Sequence, residues 1–190
     1  MQNKRDILIL FVFVAIGVLT RTILHIGPNV EFITGISISA GYFFSSRKYS
    51  FMVPLISLAI TDYLIGNSMI FLFTWSAFLI APAIGNLLEK FAKKSSFVGK
   101  LALFQAAGAF STLIFFLWTN FGVVITTSMY ANNLAGLMQS YVNALPFLRN
   151  QLGANLVIVP FLFAATHIFT NYKVKSRTSP RLHENYATIA

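Results

Sequence analysis

The chain has 190 residues, of which 56% are hydrophobic and 10% charged, with 20 Phe and a mean hydropathy of +0.71. A soluble domain of this size has too little interior to hide so much apolar surface, and 11 Gly with 6 Pro exclude collagen-like and disordered chains. The net charge of +9 would suggest nucleic acid in a soluble protein, but the basic residues sit between apolar runs as in membrane topology, and the lack of Cys excludes disulfides and thiolate metal sites.

A membrane-spanning helix takes about 20 residues, so there is room for six. The apolar runs predict an all-α membrane protein with spans at 7–24, 32–46, 49–66, 69–88, 101–126 and 151–172. They form one transmembrane domain over 1–172, followed by a polar cytoplasmic tail, 173–190. The first span follows Lys4 and Arg5; no small-residue cleavage site succeeds it, so it is not read as a signal peptide. The second is short and rich in small residues: Gly35, Ser37, Ser39, Ala40 and Gly41. The third holds Pro54 and Asp62, and the fourth carries Phe71, Trp75 and Phe78 as a stripe at helical spacing, with Pro82 further on. The fifth is longer than one crossing, and its Ala102, Ala106, Gly108, Ala109 and Ser111 let another helix approach closely. Between the fifth and sixth spans lies a mixed segment, 127–150. Leu134, Leu137, Tyr141 and Leu145 predict an interfacial amphipathic helix within it. The sixth span contains Pro160.

With six spans, 12 of the 14 basic residues fall on one side: Lys4, Arg5, Arg47, Lys48, Lys90, Lys93, Lys94, Lys100, Lys173, Lys175, Arg177 and Arg181. The positive-inside rule then puts both termini in the cytoplasm. Arg21 and Arg149 fall toward the other side.

Asp62 is the sharpest single feature. An ionisable group within a span costs about 2.5–3.5 kcal/mol on insertion scales and faces a partner or a wet cavity. Arg21 lies at comparable depth. The two form either a structural pair or part of a ligand or ion path, and both readings stay open. Trp75 and the run Trp118-Thr119-Asn120 suit the aromatic and amide walls of a small-molecule pocket. Tyr141, Asn143 and Asn150 in the 127–150 segment are placed over it as a lid. His25 with Glu31 offers at most a weak metal pair. No constellation of catalytic groups occurs, so neither an enzyme nor a cofactor is expected. The competing classes are a membrane-embedded enzyme acting on a lipid or cofactor, and a structural partner of another membrane complex.

Four stretches carry a resemblance: Gly27-Pro28-Asn29 before the small-residue span, Val53-Pro54-Leu55 with Thr61-Asp62, Phe116-Leu-Trp-Thr-Asn-Phe-Gly122, and Leu134-Ala-Gly-Leu137 with Tyr141-Val-Asn-Ala-Leu-Pro-Phe147, Asn150 and Gly153. They resemble a family of small six-span bacterial transport proteins, itself similar to the substrate-binding S components of energy-coupling-factor (ECF) vitamin importers. The resemblance implies a six-helix bundle in the bacterial inner membrane, binding a small vitamin-like nutrient, such as cobalamin or a related cofactor precursor, for uptake. The pocket would be outward-facing, formed by spans 4 to 6 and capped by the 1–2 loop. The expected binding set is Arg21, Asn29, Asp62, Phe71, Trp75, Trp118, Asn120, Tyr141, Asn143 and Asn150. Some relatives bind cobalt through Cys; Ser140 stands at that place, leaving His25 as the substitute ligand. The expected partners are the nutrient, the lipid bilayer and an energy-coupling module, with no nucleic acid. The Ala-x-x-x-Ala docking motif of S components is absent, since Phe11 and Leu19 flank Ala15 at that spacing.

Overall fold

The computed structural model describes residues 2–24, 26–66 and 68–178, with side chains from Lys4 to Asn171 within them. It is all-helical. The described residues form α1 (Gln2–Thr22), α2 (Ile33–Phe43), α3 (Arg47–Ile65), α4 (Phe71–Phe91), α5 (Phe97–Thr126) and α6 (Leu134–Thr178), with a single 3-10 turn, Ala92–Lys94, after α4.

Four of these, α3 to α6, are long and apolar enough to cross a membrane. In α1, Lys4, Arg5 and Asp6 at one end and Arg21 at the other leave only residues 7–20 free of charge. With 11 residues, α2 is about 16 Å long, roughly half a bilayer core. It is surrounded instead of exposed: residues 33–41 are all buried, and α2 touches each of the other five helices. Its small residues make this possible. Gly41 lies against the Pro82 carbonyl and Gly85 against the Ile38 carbonyl, so the α2 and α4 backbones touch.

The segment expected to be a separate interfacial helix is not separate. Residues 134–150 are the first part of α6, and the helix runs on through the sixth apolar run to Thr178. Asn133 caps its start, accepting the Gly136 amide at 2.9 Å. Pro146 removes one backbone donor without a following break. The 30-residue α5 offers a partner along this stretch: Ser140 Oγ donates to the Asn120 carbonyl at 3.3 Å and Tyr141 to the Leu117 carbonyl at 3.1 Å. The tail expected from 173 is likewise helical to Thr178, and 179–190 lie outside the described residues.

At the end of the bundle where α1 begins, Asp6 is fully buried. Its Oδ2 accepts the Ser45 amide at 2.8 Å and its Oδ1 pairs with Arg5 at 3.2 Å. Arg5 also donates to the Phe43 carbonyl at 3.0 Å, closing the C-terminus of α2 with a cation as its dipole favours. Nearby, Phe43, Phe97, Phe104, Phe163 and His167 form one aromatic cluster.

Candidate functional site

At the opposite end, α2 starts late, and the space above its first turn is roofed by the chain from 26 to 32. Val30 N donates to the Gly27 carbonyl at 3.1 Å, and Asn29 takes a left-handed φ of 58°, a conformation that Asn tolerates better than most residues. Glu31 then closes the start of α2. Its Oε2 accepts the Ile33 amide and its Oε1 the Thr34 hydroxyl at 3.0 Å. A carboxylate belongs there because the helix N-terminus carries unpaired N–H groups and partial positive charge. Burial pushes the Glu31 carboxyl above the usual carboxylate range; Arg21 and the hydrogen bonds from Ile33 and Thr34 pull it back only in part.

Beside this roof, the ends of three helices are tied through one carboxylate. Arg21 Nη2 of α1 meets Asp62 Oδ1 of α3 at 2.9 Å, and Trp75 Nε1 of α4 donates to Asp62 Oδ2 at 2.6 Å. The Asp62 side chain is 9% exposed and that of Arg21 is 25%. The pairing left open by the sequence is therefore formed.

Next to the pair lies a cavity of about 290 Å³, lined by Arg21, Asn29, Glu31, Phe78, Phe115 and Gln151, among others. A second chamber of about 190 Å³ adjoins it through shared walls at Asn29, Thr74, Phe115 and Gln151, and reaches Asn120, Ala144 and Phe147. The rings of Phe78 and Phe115 meet at 4.8 Å and give the larger chamber an apolar face. Gln151 is only 2% exposed, and among the described residues its carboxamide makes no hydrogen bond. The carboxamide opens onto the cavity, so it is left to pair with what the cavity holds.

The expected binding set is split by the fold. Arg21, Asn29 and Asn120 line the chambers. The Asn120 amide is partly occupied, donating to the Phe116 carbonyl at 2.8 Å. Asp62 and Trp75 sit behind the wall as its brace, with Phe71 edge-on to Trp75 at 6.0 Å. Trp118 is not in the cavity. It is 43% exposed, donates to Ser76 at 2.8 Å, and with Tyr141 lines an open apolar groove on the outside of α4, α5 and α6. The reason is helical phase: Phe115 and Thr119 face inward, and Trp118 lies between them in the turn, on the other side. Asn143 is exposed and donates to the Tyr130 hydroxyl at 3.3 Å. Asn150 lines another open groove with Arg149, on the far side of the 26–32 roof. The 134–150 stretch does cover the smaller chamber, but with Ala144, Phe147 and Leu148 instead of its amides.

Sequence reasoning passed over Thr74, Phe115 and Gln151 and read Glu31 only as a metal partner. A polar residue opening an otherwise apolar run was the one available sign of Gln151. His25, named only as a substitute for the cobalt-binding Cys of some relatives, lies outside the described residues, while Glu31 is engaged with α2.

The model of a family of unknown function, DUF6580, matches residues 1–179, and the chain belongs to that family. No curated protein and no solved structure matches it.

Proposed function

We propose that this DUF6580 protein is a multi-pass membrane protein that binds a small polar nutrient for uptake, as the substrate-binding part of a transport system. The observation that carries this reading is the pair of joined chambers, both lined by the unengaged carboxamide of Gln151. A concave site with apolar walls and a few convergent polar groups is the usual form of a small-molecule site. At about 290 and 190 Å³ each chamber alone falls below the usual size of such sites, roughly 300–1,000 Å³. They suit a single-ring solute better than a corrinoid, whose macrocycle exceeds them.

The test is native mass spectrometry of gently purified protein. The parent is expected to retain a small molecule. Gln151→Leu, similar in size but unable to hydrogen-bond, is expected to lose affinity about ten- to hundredfold. Trp118→Ala, on the outer groove, should retain the ligand like the parent. Equal retention by Gln151→Leu would end this reading of the cavity.

In the same proposal the chain makes six crossings of the bacterial inner membrane, with α2 a half-length element shielded by its neighbours. Both termini lie in the cytoplasm and the cavity end faces away from it, as the 12-to-2 division of basic residues favours. The natural chain lacks Cys, so single cysteines report cleanly. A membrane-impermeant maleimide on intact cells is expected to label Asn132→Cys and to spare Ser96→Cys. Labelling of both from outside would overturn the orientation.

A further inference from the structure

We infer that the cavity takes a small carboxylate-bearing monoanion together with one proton held on Glu31. This rests on the cavity being the solute site and adds the charge class of the solute.

The first argument is which groups are already engaged. Both Asp62 oxygens hold partners, Arg21 and Trp75. Both Glu31 oxygens hold the start of α2. Arg21 uses only Nη2, on Asp62, and its remaining N–H groups make no hydrogen bond among the described residues. Gln151 adds an unengaged amide. The unengaged cationic donors of the lining thus favour a guest rich in acceptors. A carboxylate, with two oxygens and about four lone-pair sites, fits the guanidinium fork better than an amine or a neutral amide does.

The second argument is charge balance. Arg21 comes from α1 and Asp62 from α3, and Glu31 stands at the head of α2, where Arg21 acts on it electrostatically. Among the described lining residues, α4, α5 and α6 bring no titratable group, and Arg149 lies beyond the roof in the outer groove. With Glu31 ionised, the three groups sum to one negative charge, which repels an anion. With Glu31 protonated they sum to zero, and the free face of Arg21 accepts the anion. Bringing the anion in therefore favours the proton on Glu31, and by linkage the proton favours the anion. The burial that already raises the Glu31 carboxyl acts in the same direction.

The experiment uses the full chain in detergent and titrates it with benzoate, benzamide and benzylamine. These share one ring, matched to the Phe78–Phe115 wall, and carry one negative, no and one positive charge. Benzoate is expected to bind at least about tenfold tighter than the other two. Its affinity should fall as pH rises from about 5.5 to about 8, above the benzoate's own titration, by up to about tenfold per pH unit, the slope of one proton. Glu31→Gln keeps an acceptor for the Ile33 amide and should still bind benzoate, with the slope flattened. Benzamide or benzylamine binding as tightly as benzoate, or Glu31→Gln keeping the parent slope, would overturn the inference. If none of the three binds while a cellular ligand is still retained through Gln151, the anion inference falls and the solute site stands. If retention is also independent of Gln151, both fall.

Discussion

Gly85→Ala is expected to destabilise the protein by about 3 kcal/mol, while Gly153→Ala, the same change in another helix, is expected to stabilise it slightly. At Gly85 the added methyl would run into the Ile38 carbonyl oxygen and crowd the Gly41 Cα. These are backbone atoms of α2, so no side-chain rotation relieves the clash. The two helices must separate, and α4 is the helix on which α2 packs most extensively. Overpacking costs of about 1–3 kcal/mol apply where side chains can adjust, and a backbone contact lies at the top of that range. At Gly153, inside α6, a methyl meets nothing within 4 Å. There the helix propensity gain, up to about 1 kcal/mol, goes unopposed. Thermal melts of both variants in detergent read the contrast. A Gly85→Ala melting temperature equal to or above the parent would mean that α2 and α4 do not touch through these glycines.

Asp62→Ala is expected to cost about 2–3 kcal/mol. It leaves the Arg21 guanidinium unpaired and removes the acceptor from the Trp75 indole at once, releasing the ends of α1 and α4 from α3. Breaking one side of a buried ion pair typically costs about 3–5 kcal/mol. The lower figure applies because a quarter of the Arg21 side chain reaches water or cavity. Asp62→Asn keeps the acceptor for Trp75 and loses only the charge, so it should fall between Ala and parent. Adding Arg21→Gln to Asp62→Asn removes the stranded cation and should recover most of the loss. A double variant whose loss is simply the sum of the two single losses would show that the two groups are not coupled.

The Asp62 pairing bears on what a sequence can say about a charge within an apolar run. An ionisable residue in an apolar run must have a partner, and Arg21 was the available cation at similar depth. The indole of Trp75 as the second partner was not legible, because it depends on the rotation of α4 about its own axis. Arg5 and Asp6 show the same limit. In the sequence, Arg5 counts as one topogenic charge among twelve; in the fold, with Asp6, it closes the C-terminus of α2 across the bundle.

The all-helical character and the approximate position of the long apolar helices were legible because they follow from local composition and run length, which need no knowledge of neighbours. Of the residues singled out in the sequence, Arg21, Asn29 and Asn120 line the chambers. The tertiary structure decided what local patterns do not encode. It joined residues 134–150 to the last helix because α5 is long enough to pack against them. It turned Trp118 outward, since one residue of helical phase is about 100°. It made a cavity from the shortness of α2, a vacancy that no single segment contains. And it brought Glu31 and Gln151, 120 positions apart in the chain, to the same wall, because a cavity belongs to the packing of helices and not to any one of them.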